Sequence, residues 1–242
     1  MSNAVFPANI KGLTWTVTKS FEFATISQKS PNQYEQTISQ TQNPIWHWVL
    51  IYDYLYDGFV TPNDLMPYAP YTDFRTLLGF MLARQGMFDS FLYTDPTDHF
   101  VGPGETLGVP NPQAQLQLVN DGAGNYYSPI QRNMGGLFLE DITDLNGALA
   151  LYQNGVLVTS GYTLMGPGLA LPGYSFQGLY VKWSVIPAAP VTASFNFYFR
   201  VKCELDTQDY EEFMAGLWTI GGSGSKNGSG QLKLMTRRPP TA

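Results

Sequence analysis

Charge is what this sequence has least of. Asp, Glu, Lys and Arg make up 13% of its 242 residues, about half the usual share. The polar surface must then come largely from Ser, Thr, Asn, Gln and Tyr, and little charge repulsion opposes contact with a neighbour. Thiols are scarcer still. Cys203 is the only cysteine, which excludes an internal disulfide and suits a reducing compartment. It falls on the period-two apolar face Phe195, Phe197, Phe199, Val201, Cys203, which reads as core and not as a nucleophile. The two histidines, His47 and His99, are far apart and form neither a zinc motif nor a triad. The formal net charge is −6 with no basic stripe, which argues against docking into a DNA groove. No apolar run reaches the length of a membrane span, and the N-terminus lacks a basic-then-apolar signal pattern.

What the chain does have is apolar bulk. Hydrophobic residues are 44% and aromatics 14%, the composition of a globular chain and not of a disordered one. A chain of this length buries roughly 70% of its unfolded surface, as one large domain or two small ones.

Residues 5–15 carry Pro7 and Gly12 and read as an irregular lead-in. Phe21 to Ser27 is strand-like, Ser30-Pro31-Asn32-Gln33 is a turn, and Tyr34 to Gln40 pairs back as a hairpin. Ile45 to Leu55 is the strongest strand pattern, with Trp46, Trp48, Leu50, Tyr52 and Tyr54 on one face. Its other face is also largely apolar, which predicts cover on both sides. After the Pro-containing loop from Asp57 to Tyr71, Thr72 or Asp73 caps a helix whose stripe is Phe74, Leu77, Leu78, Met81 and Leu82. Gly86 ends that helix. Phe88 to Tyr93 reads as a strand, and Thr94-Asp95-Pro96-Thr97-Asp98 as a turn.

From Val101 glycine and proline become frequent and charge sparse. Short alternating pieces follow, at Leu116-Leu118, Leu137-Leu139, Leu149-Leu151, Val156-Val158 and Leu179-Trp183, and Asn154-Gly155 is a hairpin signal. Phe195 to Cys203 is then a long strand. Asp206 or Thr207 caps a second predicted helix with the stripe Tyr210, Phe213, Met214, Leu217, Trp218, and with Asp209, Glu211 and Glu212 near its positive end. Gln231 to Thr236 is a last strand. The expectation is an α+β fold: one discontinuous domain with two packed helices, residues 1–100 and 191–242, split by an inserted all-β unit at 101–190.

Four motifs carry a resemblance across nearly the whole chain. The first is Tyr34-Glu35 followed by Pro44-Ile45-Trp46, and the second is Phe80-Met81-Leu82-Ala83-Arg84-Gln85-Gly86. The third and most specific runs Asp89-Ser90-Phe91-Leu92-Tyr93-Thr94-Asp95-Pro96-Thr97-Asp98. The fourth is Tyr198-Phe199-Arg200-Val201-Lys202 through Glu212-Phe213-Met214 to Leu217-Trp218, then Leu232-Lys233-Leu234. Together they resemble a family of bacteriophage and prophage tail proteins, the distal tail or tail-hub proteins at the lower end of the tail tube. The inserted unit matches least. Where the family has a glycine and an arginine flanking the glutamate of the first motif, this chain has Gln33 and Thr37.

The resemblance implies a β-barrel-type hub domain with helices packed on it, repeated in a homo-oligomeric ring, often a hexamer. It implies tail tube and tail tip or baseplate proteins as partners, and DNA only in passage through the channel, with no membrane contact. The product would be a virion protein of the phage tail, assembled in the bacterial host cytoplasm. An acidic chain suits such a channel, since a negative wall repels DNA. No catalytic, cofactor-binding or metal-binding residue is implied, and no enzymatic activity.

The residues offer few alternatives. Asp89, Asp95 and Asp98 lack the central glycine and twelfth-position glutamate of a calcium loop, and Asp-Pro followed by Asp is an ordinary turn. The glycine run from Gly221 to Gly230 has Lys226 followed by Asn227, not Ser or Thr, and precedes a strand, so it reads as a linker held by a neighbouring subunit and not as a phosphate loop. Asn227-Gly228-Ser229 fits a glycosylation acceptor pattern, with nothing to indicate secretion. A second function remains open: a host-glycan-binding role for the 101–190 unit, through Tyr126, Tyr127, Tyr162 and Tyr174, which flank glycine and proline.

Overall fold

A computed structural model describes residues 2–8, 10, 12–41, 43–57, 72–102, 114–135, 137–168, 170–171, 174–175, 177–187, 190–205, 210–214, 217–220 and 231–237. The loop 58–71 and the glycine run 221–230 therefore lie outside the described residues. The chain divides into two compact units, Met1–Leu92 with Val201–Arg237, and Tyr93–Arg200 with Arg238–Ala242. The sequence pattern placed the corresponding changes at 101 and 190.

The first unit is built on an antiparallel sheet. Its order is Leu13–Glu22, Ile45–Tyr52, Gln231–Thr236 and then the Val201–Cys203 end of the long strand Val191–Cys203. Alternation decides which face is inside. Trp46, Trp48, Leu50 and Tyr52 are buried, whereas Ile45, His47, Val49 and Ile51 are half-buried. The expected cover on both faces is thus full on one and partial on the other. Each fully buried side chain of this size contributes about 2–3 kcal/mol. Two boundaries also differ from the expectation: strand starts at Leu13 within the anticipated lead-in, and Phe23-Ala24 interrupts it before Thr25–Lys29.

The helix Asp73–Arg84 lays Phe74, Leu77 and Met81 into the core. Leu82, on the expected stripe, is exposed. The Thr72 side chain makes no cap bond, and the first turn is closed by the Thr76 amide donating to the Thr72 carbonyl at 2.7 Å. The stop begins one residue before the predicted glycine. Gln85 already has φ 52° and Gly86 follows at φ 62°, so the chain leaves the helix through two successive left-handed residues. A turn through Met87 and Phe88 then shortens the next strand to Phe91–Tyr93. Phe6 is stacked on Phe91 and edge-on to Phe80.

The α+β expectation with two packed helices is not met. Among the described residues Asp73–Arg84 is the one helix, the rest is strands and turns, and no sheet closes into a barrel. Residues expected to form the second helix form a hairpin, Tyr210–Met214 with Leu217–Ile220, to which Leu55–Tyr56 adds a third strand. The apolar spacing from Tyr210 to Trp218 fits a helix, but local chemistry opposes one. Gly216 costs entropy in a helix interior, and Trp218, Thr219 and Ile220 lose side-chain freedom there. As a strand, this segment stacks Trp218 on Phe74 with ring centroids 4.4 Å apart and buries Ile220 completely. Asp209 lies outside the described residues, and Glu211 and Glu212 stand on a strand, with no helix end to stabilise.

Among the described residues the named strands of the second unit pair antiparallel. Residues 191–200 of the long strand pair with Ala114–Gln115, Phe100–Val101, Asp144–Leu145 and Ala150–Gln153. A four-stranded sheet runs Tyr162–Met165, Tyr180–Trp183, Tyr126–Pro129, Val119–Asn120. Asn154 (φ 49°) and Gly155 (φ 77°) make the tight turn expected of them, joining Ala150–Gln153 to Val156–Val158. Leu116-Leu118 falls between two short strands and is not itself one. A hairpin, Gln131–Met134 with Phe138–Asp141, is tied at its base by the Ile130 amide donating to the Leu179 carbonyl and the Leu179 amide donating to the Ile142 carbonyl. Gly178 makes this approach possible: a Cβ there would lie 2.5 Å from the Ile142 oxygen.

Candidate assembly surface

Thr25–Lys29 pairs with Glu35–Ser39 in a two-stranded sheet that no third strand joins among the described residues. Every residue of both strands is exposed. The register fixes two faces. Thr25, Ser27, Lys29, Glu35, Thr37 and Ser39 form a polar one, and Ile26 opposite Ile38, with Gln28 opposite Gln36, form the other. Ile26 is 45% and Ile38 56% exposed. A cross-strand pair of β-branched residues is what a half-buried sheet uses, yet nothing described in the chain covers this one.

The polar face is held by its own side chains. The Ser27 hydroxyl donates to Glu35, and the Thr37 hydroxyl donates to the Ser27 oxygen at 3.4 Å. Glu35 therefore has a serine partner. At the turn, Gln33 has φ 64°, a region glycine occupies without strain. The Gln33 amide donates to the Ser30 carbonyl at 2.9 Å and the Ser30 amide to the Tyr34 carbonyl at 2.8 Å, which closes the turn as predicted.

Bare apolar side chains continue along the chain from this hairpin. Tyr34 at its end is 78% exposed, and Phe21 and Phe23 before it are also exposed. Phe21 contacts Phe23 and Trp46 edge-on, at 6.1 and 5.7 Å between centroids. The adjoining strand Leu13–Glu22 ends its sheet, with Ile45–Tyr52 as its one partner strand among the described residues. Among the described residues the far edge of this ten-residue strand has no partner strand, and Phe21, Phe23 and Tyr34 near it are exposed; such an edge can template the addition of a strand.

No family model and no curated protein matches the chain.

The aspartates singled out in the sequence are placed separately. Asp89 receives the Ser2 and Ser90 amides and pairs with Arg84 at 2.9 Å. Asp95 is buried and accepts from the Thr97 amide and hydroxyl at 2.9 and 2.8 Å, the turn bonding expected of it. Asp98 pairs with Arg132. Among the described residues no three His, Cys, Asp or Glu side chains gather as a metal site. His99 Nδ1 lies 2.8 Å from the Asp95 carbonyl, and His47 lies between Glu22 and Glu204 at 3.5 and 3.9 Å. Cys203 is fully buried, with Sγ 3.5 Å from Met81 Sδ. Burial pushes the Tyr210 hydroxyl up to about 12, with the Cys203 thiol adding to the effect, and raises Tyr52 in the same way, so both phenols stay protonated at neutral pH.

Three of the four tyrosines considered for sugar stacking, Tyr126, Tyr127 and Tyr162, are used in packing. Tyr126 and Tyr162 flank Trp183 in one cross-strand row, and the Trp183 indole N–H donates to the Ser128 hydroxyl at 3.0 Å. Tyr127 and Trp183 are buried, Tyr126 and Tyr162 half-buried, and the Tyr174 side chain lies outside the described residues. None of the exposed large apolar side chains described in this unit is aromatic.

Sequence reasoning missed the bare Ile26–Ile38 pair and the buried network of Arg132. The first had a signal: isoleucine at alternate positions between polar residues on both arms of a predicted hairpin. The second was marked only by Arg132 and Glu140 standing in a stretch otherwise poor in charge.

Proposed function

We propose that the chain is a structural subunit of a bacteriophage tail, a hub protein that forms a ring joining the tail tube to the tip and leaving a channel for DNA. The observation that carries this reading is the hairpin Thr25–Lys29/Glu35–Ser39 with its apolar pair bare. A two-stranded sheet is marginal in water by itself, so this one is built to be completed by a neighbour. The low charge and the four tail-protein motifs support the same reading. It does not depend on a second helix or a closed barrel, neither of which is present among the described residues. Tube, tip and baseplate proteins are the proposed partners, and the virion is the proposed location.

Analytical ultracentrifugation and negative-stain imaging of the purified full chain test it. The expected result is a closed ring, and more carboxylates than Lys and Arg lining its channel. A strictly monomeric chain at concentrations up to the millimolar range, or a basic channel wall, would overturn it. A host-glycan role for the second unit finds no exposed aromatic platform among the described residues to support it.

A further inference from the structure

Arg132 is 3% exposed and lies at the centre of the second unit's charge. Its Nε and Nη2 both donate to Glu140 Oε2, at 2.8 and 2.5 Å, across the hairpin pair Arg132–Glu140. Its Nη1 donates to Asp98, in the turn by which the chain comes into this unit. Its guanidinium sits 5.3 Å from the ring centroid of Phe197 and 5.1 Å from that of Phe199, on the strand by which the chain leaves. Burial by itself would lower the basicity of this group, but Glu140 and Asp98 outweigh it and raise it further. One side chain therefore touches three segments that are distant in sequence.

The neighbouring bonds converge on the same place. The Phe197 amide donates to the His99 carbonyl at 2.8 Å. Arg200 Nε donates to Asp144 at 3.0 Å, and Asp144 is opposite Tyr198 in the ladder. A lysine at position 132 has no planar fork and cannot address Glu140 twice and Asp98 once in this geometry.

We propose that Arg132 is a clasp closing the insertion where the chain enters and leaves it: it holds the incoming turn Thr94–Asp98 and the hairpin Gln131–Asp141 against the outgoing strand, so that residues 93–200 stay shut as one cooperative body. Its release opens this end locally, before the rest of the unit unfolds.

Amide hydrogen exchange on the full chain reads the clasp directly. In R132M, exchange at Thr94–Phe100, at Phe138–Asp141 and at Phe197 rises by about tenfold or more, while Ile45–Tyr52 and Gln231–Thr236 in the other unit are unchanged. In D98N the rise is confined to the incoming turn, with Phe138–Asp141 still protected. The triple variant D98N/R132M/E140Q guards against a mere loss of stability, because replacing a whole buried ion network by neutral groups restores much of it. The clasp requires that the incoming turn still exchange fast in the triple variant although its unfolding midpoint recovers. R132K, kept in reserve should R132M not fold, gives the same pattern at smaller amplitude. Equal acceleration in both units, no acceleration at the turn, or protection regained in the triple variant would overturn the proposal.

Discussion

The hairpins Thr25–Lys29/Glu35–Ser39 and Gln131–Met134/Phe138–Asp141 are both antiparallel, both two-stranded, and both outside the main sheet of their unit. They differ in what holds them. The second buries a charged network: Arg132 with Glu140 and Asp98, and Gln131 Nε2 donating to Asp141 at 2.7 Å. Only the region of its turn is bare, with Leu137 95% exposed. The first is exposed from end to end, and among the described residues its side-chain bonds stay local, Ser27 with Glu35 and Thr37, and Ser39 with the Thr41 carbonyl. A two-stranded sheet needs help to be stable, and in one case the help comes from within the chain. The comparison teaches that exposure here is selective. The protein is able to anchor a hairpin, and among the described residues nothing anchors the one that carries the Ile26–Ile38 pair.

Breaking the anchored hairpin should have the largest effect. R132A strands the Glu140 carboxylate in the interior, and urea denaturation should show a loss of about 3–5 kcal/mol. The matching insult to the bare hairpin, I26D/I38D, should leave monomer stability within about 0.5 kcal/mol yet abolish self-association in sedimentation. Loss of folding in that variant would mean the pair is core after all. A smaller gain is expected from Q33G. Relief of the left-handed backbone at φ 64° should stabilise the chain by roughly 0.5–1 kcal/mol in the same denaturation assay.

The smallest effect concerns a third loop, between Val119–Asn120 and Tyr126–Pro129. The Asn125 side chain, against some desolvation, and the Ala123 and Asn125 amides hold the Asp121 carboxyl below its ordinary value. A carboxyl depressed by folding stabilises the fold above its unfolded value and stops doing so as pH falls through the folded one. Thermal melts of D121N should therefore lie slightly below those of the native chain at neutral pH and converge with them in acid. An unchanged gap at low pH would assign the effect to the lost hydrogen bonds and not to charge.

Parts of both units were legible because alternation and turn chemistry act locally. The strand Gln231–Thr236, the Asn154-Gly155 turn and the Asp95 turn each appear where side-chain pattern and backbone preference agree. The region from Tyr210 to Ile220 failed because an apolar spacing of three and four is shared by a helix stripe and a short hairpin, and the deciding partner, Leu55–Tyr56, is about 160 residues away in sequence. The candidate surface was half legible. The hairpin and its turn could be read, but its bareness depends on what fails to cover it. The Arg132 network was hidden for the same reason, since Asp98, Arg132, Glu140 and Phe197 share no local pattern.

Cys203 offers a use that follows from its setting. As the sole thiol, buried without solvent contact beside Met81, it is shielded from alkylating reagents while the first unit stays folded. Labelling kinetics at this single atom would clock the opening of that core with no probe added, and comparing them in free and assembled chains would measure how far assembly slows it.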